Sequence, residues 1–233
     1  MSLTTTMHPL AFAGCLIASL AFAAPGQLQA REPLPQVSPE GLQLQPDTKV
    51  RAVYLKPGAT FDKYHRVAIV NTYVEFAKDW EREYNDTAVG LQGRVRPQDM
   101  ERMKTGVAAA FKEVFTEELQ DKGGYQVVDA VAADVLVLRP AIINLQVTAP
   151  DLQTANMKQT IVRSAGQMTL YLELWDSSTN TLLARIMDPQ ADDGMGGFAT
   201  RASNRAAMNE ILEDWAVRLR KHLDAAHGKA PRP

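Results

Sequence analysis

The chain has 233 residues, with 25 Lys and Arg against 27 Asp and Glu, and a formal net charge of −2. This balance excludes the strong basic excess that is typical of nucleic-acid-binding proteins, and a hydrophobic content of 45 % excludes a fully disordered chain. A single cysteine excludes an intrachain disulfide and any metal site built from several cysteines.

The first 30 residues contain no Asp, Glu, Lys or Arg. Their apolar run, from Leu10 to Ala24, is shorter than the roughly 20 residues that a membrane-spanning helix needs. This length is typical of the hydrophobic region of a secretory signal peptide. We therefore predict a signal peptide over residues 1–30, cleaved after Ala30 or, alternatively, after Ala23 in an Ala-x-Ala motif.

Cys15 is a candidate lipidation site, because the residues before it resemble a degenerate lipobox. A lipidated cysteine normally leads into a polar tether, whereas mostly apolar residues follow Cys15, so plain cleavage is favoured. Plain cleavage, lipidation and an uncleaved apolar anchor stay open as alternatives. All three place the bulk of the chain in the periplasm or at the outer membrane, with membrane contact only through a lipid anchor or an uncleaved signal.

Residues 31–49 are predicted to be a flexible linker, because four prolines alternate there with polar residues. An ordered α+β domain is expected over residues 50–226, followed by a disordered tail over residues 227–233. Within the domain, a first long strand is predicted over residues 64–76, with apolar side chains on both faces.

A helix is predicted to begin at Pro97, which suits a first helical position, and to end at Gly123 and Gly124. Strands are then predicted over residues 125–129, 134–147, 160–176 and 181–187, the last two forming a hairpin, and a final helix is predicted over residues 201–226. Pro140 requires an edge position, a bulge or a break within its strand.

The order β-α-β-β-β-β-α predicts an α+β fold. We expect a single domain with a mostly antiparallel sheet and two main helices on one face.

Several segments resemble a known family. The most specific are residues 54–59 (YLKPGA) and 63–67 (KYHRV), accompanied by residues 134–143 (DVLVLRPAII), the hairpin that follows Asp176 and the last helix. Over residues 50–226 this pattern resembles the bacterial family of domain of unknown function 3313. The resemblance implies an envelope protein, since members are mostly envelope lipoproteins. It transfers no catalytic residue, because no activity is known for the family.

The motifs that could carry chemistry do not fit their usual contexts. Gly194 to Ala199 has the spacing G-x-G-x-x-A but does not directly follow a predicted strand, as a dinucleotide site requires. His222 and His227 are five residues apart and do not share one helical face as paired zinc ligands do. No serine lies in a nucleophile motif. We therefore expect no catalytic residue, metal or cofactor.

Four aromatic residues are candidates for partner binding. Trp80 and Tyr84 lie in a polar, irregular segment, where they either anchor a partner or pack beneath the loop. Tyr171 and Trp175 share the outer face of the clearest strand, with Glu173 between them. They form a binding patch if no helix covers that face.

Together these observations predict a non-catalytic, envelope-associated protein that binds another envelope protein or a cell-wall component, and no nucleic acid. Two alternatives stay open: an envelope hydrolase with an unrecognised site, and a carrier of a small ligand or lipid. A flat sheet face with Tyr171 and Trp175 would favour the binding module. An apolar cavity between sheet and helices would favour the carrier.

Overall fold

A computed structural model describes residues 33–88, 93–148, 160–162, 166–191, 197–199 and 201–229. The predicted signal peptide with Cys15, Ala23 and Ala30 lies outside these ranges, as do Gly194 and residues 230–233. From Leu34 onward the chain belongs to one compact unit. In the described ranges, no helix has both the length and the apolar character needed to cross a membrane.

The described elements are ten strands, three helices and a π-helical turn. The strands are β1 (Gln43–Leu44), β2 (Ala52–Leu55), β3 (Arg66–Ile69), β4 (Tyr73–Phe76), β5 (Gln126–Val127), β6 (Val135–Val147), β7 (Thr160–Val162), β8 (Gly166–Asp176), β9 (Thr181–Ala191) and β10 (Gly197–Ala199). The helices are α1 (Trp80–Thr87), α2 (Pro97–Thr116) and α3 (Arg201–Ala226), and the π-helical turn (Glu117–Lys122) extends α2.

The fold is α+β, as the sequence predicts. The main sheet has the strand order β1-β2-β9-β8-β6-β3-β5, with β4 also paired to β6, while β7 and β10 form a separate ribbon. The pairs from β1 through β2, β9 and β8 to β6 are antiparallel. β3 and β4 run parallel to β6, and β5 runs parallel to β3. Helices α2 and α3 pack on one face of this sheet.

The strand predicted over residues 64–76 is divided into β3 and β4, and both pair with β6. β3 lies beside Leu136 and Leu138, and β4 lies beside Ala141 and Ile142. The Val70 N–H donates to the Leu138 carbonyl, so by the two-residue alternation of a strand the nitrogen of Pro140 faces the gap between β3 and β4. The position where Pro140 lacks an N–H therefore coincides with the break between the neighbouring strands β3 and β4.

The core lies between the sheet and helices α2 and α3. Alternate residues of β8 point into it, as the sequence pattern predicts. The buried side chains of these elements form one cluster, which includes Met168, Leu170, Leu172, Leu174, Phe111, Phe115, Leu212, Trp215 and Leu219.

Helix α2 has the boundary features that the sequence predicts. Pro97 is its first residue, and the Arg96 N–H donates to the Asp99 carboxylate at 2.9 Å. The π-helical turn then ends at Gly123, where a side chain would meet the Leu119 carbonyl at 2.5 Å. Gly124 has φ +76°, a conformation that favours glycine.

Residues 34–49 differ from the predicted flexible linker. Strand β1 pairs with β2, Leu42 is 1 % exposed, and its side chain packs against Ala52 and Tyr54. The Tyr54 hydroxyl donates to the Pro35 carbonyl at 2.9 Å. Apolar side chains between the prolines bury themselves on β2, a contact that proline content alone did not reveal.

Two other predicted boundaries also differ. Helix α1 forms in the polar segment that is predicted to be irregular, and it begins directly after Asp79, which has φ +64°. At the other end, residues 227–229 of the predicted tail contact the domain, since Lys229 Nζ lies 3.3 Å from an Asp224 carboxylate oxygen. Both segments also contact residues elsewhere in the chain, since Lys229 Nζ donates to the Gly123 carbonyl at 3.1 Å and the Asn85 side chain of α1 donates to the Val95 carbonyl at 2.9 Å.

Candidate protein-binding surface

The sheet face opposite α2 and α3 is the candidate site, and we call it the outer face. Strand register arranges its side chains in three cross-strand rows. One row contains Tyr73, Ala141, Tyr171 and Met187, the next contains Arg139, Glu173 and Arg185, and the third contains Val137, Trp175 and Leu182. The sequence-predicted pair Tyr171 and Trp175 therefore lies on a sheet face that neither α2 nor α3 covers.

Residues 34–44 cover only one side of the outer face. Leu42 lies over β2, and the partly buried Leu182 and Met187 of β9 pack against the same small cluster. At the border of this cover, Arg185 forms paired hydrogen bonds to Glu40 at 2.8 and 2.9 Å. Among the described residues, this cover stops near β9, and the outward sides of β8, β6, β3 and β4 stay accessible.

Trp175 and Arg139 form the centre of the uncovered part. The guanidinium carbon of Arg139 lies 4.3 Å from the centroid of the indole ring, which is a cation–π geometry. The indole N–H donates to Glu173 at 3.0 Å, and Arg139 donates to the Asn180 side chain at 3.1 Å. Arg139 is exposed and makes no ion pair with the residues that the structure describes. Its charge is thus available to a carboxylate from outside.

Contacts with the charged side chains of Glu173 and Arg185 hold Tyr171 in place. Its hydroxyl donates to Glu173 at 3.3 Å, and the Arg185 guanidinium lies 5.4 Å from its ring centroid. Arg185 bridges Glu173 and Glu40, and its hydrogen bonds to Glu40 are the largest cause of the raised pKa of the guanidinium. The same contact lowers the pKa of Glu40 to about 2. These contacts hold the Tyr171 ring in one orientation on the sheet.

The uncovered area continues to the edge of the sheet through apolar side chains. Tyr73 is 58 % exposed and Val70 is 41 % exposed, which is high for large hydrophobic residues. Tyr73 follows Ala141 and Tyr171 in the same cross-strand row. An aromatic and apolar strip thus extends from β8 to β4.

Trp80 and Tyr84, the other two predicted binding residues, do not join this surface. Trp80 is 7 % exposed and stacks on Phe76 with ring centroids 4.4 Å apart. Tyr84 is partly buried, and its ring also stacks on Trp80, with centroids 5.6 Å apart. The structure therefore favours packing over partner binding, because α1 turns the Trp80 indole inward.

The residues of the KYHRV motif have a structural role that sequence reasoning missed. Asp176 accepts hydrogen bonds from Lys63 and the Tyr64 hydroxyl, each at 2.7 Å, and from Ser178 and Thr179 of the β8–β9 turn. The pKa of Asp176 is strongly lowered, and its hydrogen bond from Lys63 is the largest cause. The pKa of Tyr64 is raised to about 12, mainly by burial and secondly by its hydrogen bond to Asp176. The motif thus locks the start of β3 to the hairpin.

A buried ionic cluster joins the ends of α2 and α3. Arg220 donates to Glu118 at 2.6 Å and to Asp224 at 3.0 Å, and the Tyr125 hydroxyl donates to Asp224 at 2.9 Å. Burial opposes ionisation of Glu118, but hydrogen bonds from Arg220 and Lys122 outweigh it and lower its pKa. The four-residue spacings of Arg220 and Asp224 and of Glu118 and Lys122 are sequence signals for this cluster.

The structure also brings His65 and His227 together, with ring centroids 5.0 Å apart. Sequence reasoning missed this pair because the two residues are distant in the chain. Within the described ranges, no group of three His, Cys, Asp or Glu side chains is placed to hold a metal ion.

Solved structures that resemble this chain have low sequence identity. A PelC dodecamer from Paraburkholderia phytofirmans has 11 % identity and a TM-score of 0.37, and the match covers 77 % of this chain and 98 % of that chain. A putative neuraminyllactose-binding hemagglutinin homolog from Helicobacter pylori has 11 % identity, a TM-score of 0.36, and coverages of 72 % and 87 %. A DUF330 protein from Xanthomonas campestris has 16 % identity, a TM-score of 0.35, and coverages of 73 % and 90 %.

Sequence comparison places the chain in a family. No curated protein matches it significantly. The family model described as "Protein of unknown function (DUF3313)" matches residues 37–219, which include the KYHRV motif, Asp176 and the outer face. The chain belongs to the DUF3313 family.

Proposed function

We propose that this chain is a non-catalytic protein of the cell envelope that binds another envelope protein through the uncovered part of its outer face. The observation that carries the proposal is the stack of Arg139 on Trp175 beside Tyr171. Trp, Tyr and Arg are the residue types that contribute most binding energy at protein interfaces. Here all three lie on one uncovered sheet face.

The cover formed by residues 34–44 supports this proposal. That segment buries Leu42 against β2 and pairs Glu40 with Arg185, so one side of the outer face already binds a segment of its own chain. The uncovered side offers the same kinds of contact, with apolar side chains at Val70 and Tyr73 and a positive charge at Arg139. A partner with apolar side chains and an acidic residue would complement it.

The uncharged apolar leader supports location in the envelope. A segment of this composition and length is typical of a secretory signal, which would release the domain into the periplasm. If Cys15 is lipidated, the domain would instead be attached to a membrane, with the outer membrane as the expected site. In either case the outer face would meet envelope components.

Crosslinking in intact cells of the source organism tests the proposal. A tagged full-length chain would be crosslinked with formaldehyde, purified under denaturing conditions, and analysed by mass spectrometry. We expect one reproducible envelope protein, and we expect Trp175→Ala and Arg139→Glu to weaken its recovery several-fold. Lys221→Glu is the matched control, because Lys221 is an exposed cation on α3, on the other side of the sheet.

The same experiment can contradict the proposal. Recovery of the chain alone, at its mature mass, would remove the protein-binding function and shift weight to an enzyme or a carrier. Recovery of cell-wall fragments would identify a different class of partner. Thermal unfolding of each variant separates a lost contact from a lost fold.

A further inference from the structure

A cleft of about 920 Å³ lies on the helix side of the sheet, away from the outer face. Arg220 and Glu118 hold α3 against the π-helical turn at one end of the helix pair. Towards their N-terminal ends, residues 101–113 of α2 and 204–211 of α3 form the two walls of the cleft. Because low-numbered residues of both helices meet at the same end, α2 and α3 run in the same direction with the cleft between them.

Apolar side chains form much of the cleft, and three of them are methionines. The walls and the floor, which is built from the ends of β6 and β8, include Met103, Val107, Ala110, Leu145, Met168, Met208 and Ile211. Methionine is unbranched and flexible, so such a lining can adapt to an apolar ligand. The volume falls within the range of about 300–1,000 Å³ that is usual for small-molecule sites.

Arg205 and Asn209 are polar residues of the cleft wall whose side chains lack partners in the described part of the chain. Arg205 is exposed, lines the cleft and makes no ion pair there. The side-chain oxygen of Asn209 is buried, lines the same cleft and accepts no hydrogen bond. Buried acceptors are rarely left unpaired in native proteins. A ligand with an anionic head group beside Arg205 and a hydrogen-bond donor near Asn209 would satisfy both.

We propose that this cleft binds an amphiphile with one apolar chain and an anionic head group. The chain lies between Met103 and Met208, and the head group meets Arg205. Fatty acids and monoacyl phospholipids both have the apolar chain and the anionic group, and the hydroxyls of a monoacyl phosphatidylglycerol also supply a donor for Asn209. The site is separate from the outer face, so this activity does not depend on the proposed partner binding.

A fluorescence titration with 11-(dansylamino)undecanoate, an acyl-chain carboxylate, tests the proposal. The full chain should bind the probe saturably, and oleate should displace it more effectively than oleyl alcohol, which lacks the charge. A second competitor, a monoacyl phosphatidylglycerol, distinguishes the two ligand sources. Arg205→Gln should weaken displacement by oleate about tenfold, which corresponds to about 1.4 kcal/mol, and leave displacement by oleyl alcohol unchanged.

Filling the cleft provides the matched comparison. Ala207 lines the cleft, whereas its neighbour Ala206 is exposed and does not. Ala207→Trp should abolish saturable binding of the probe, and Ala206→Trp should preserve it. If Ala207→Trp fails to fold, Ala110→Trp, which fills the cleft from the opposite wall, replaces it as the test variant.

Absence of saturable probe binding to the wild type, or equal probe binding by the folded cleft variant and Ala206→Trp, would overturn the proposal. Trp175→Ala should retain probe binding, which separates this test from that of the outer face.

Discussion

The carboxylate of Asp176 offers the sharpest test of how the family motif stabilises the fold. One of its oxygens accepts three hydrogen bonds from Ser178 and Thr179 in the β8–β9 turn. The other accepts from Lys63 and the Tyr64 hydroxyl. Asp176→Asn preserves the shape and the turn contacts, but it places an amide NH₂ against these last two donors.

The size of the effect follows from those two contacts. Each hydrogen bond to a charged group contributes about 1.5–3 kcal/mol. Lys63 is half-exposed, so we use the lower end. Asp176→Asn should therefore lower the free energy of unfolding by about 3 kcal/mol, which for a domain of this size lowers Tm by about 6–12 °C.

Urea denaturation of the purified protein measures this change. The midpoint should fall while the m-value stays constant, since the same surface is exposed on unfolding. Asp129→Asn is the matched control, because Asp129 is exposed and undergoes the same chemical change. A loss below about 1 kcal/mol, or a loss equal to that of the control, would refute the assignment of a structural role to the motif.

Three further outcomes are expected. Leu42→Ala should lower the free energy of unfolding by about 2–5 kcal/mol in urea, whereas a residue in a flexible linker would change nothing. Arg220→Met removes the partner of two buried carboxylates, Glu118 and Asp224, and should cost about 3–5 kcal/mol by thermal unfolding; a neutral effect would show that the cluster does not stabilise the helix pair. The lowered pKa of Asp176 means that its contribution is present above the unfolded-state pKa and is lost as pH falls through the folded-state pKa. The stability difference between wild type and Asp176→Asn, measured in urea from about pH 7 downwards, should therefore shrink below about pH 4. A constant difference would contradict this.

Local periodicity was enough to predict the central features of the fold. The alternation of Leu170, Leu172 and Leu174 identifies the inward face of β8, and hence the outward position of Tyr171 and Trp175. Helix α2 was also predictable, because the apolar stripe, the initial proline and the terminal glycines are all local signals.

The remaining features depend on how separate elements of the chain meet. Leu42 is buried against β2, although four prolines nearby suggested a flexible linker. Trp80 stacks on Phe76, four residues earlier, because the chain turns from β4 into α1 between them. Neither the contact with β2 nor this turn can be identified from the spacing of residues along the chain.

The candidate sites also contain both residues that the sequence predicted and residues that it did not. The sequence predicted two of the outer-face residues, but Arg139 joins Trp175 through the pairing of β6 with β8. The cleft between α2 and α3 could not be predicted, because it depends on how far apart two separate helices stand. Arg205, one of the charged residues that line it, looks in the sequence like any solvated cation on a helix.

Site-specific photo-crosslinking in cells of the source organism tests the central claim most directly. A benzophenone amino acid would replace Tyr73, which is exposed on the outer face, or Lys221, which is exposed on α3 on the other side of the sheet. The account predicts that one envelope protein forms an adduct from position 73 and not from position 221, and that Trp175→Ala abolishes it. No adduct from position 73, or the same adduct from both positions, would contradict the claim that the outer face binds a partner.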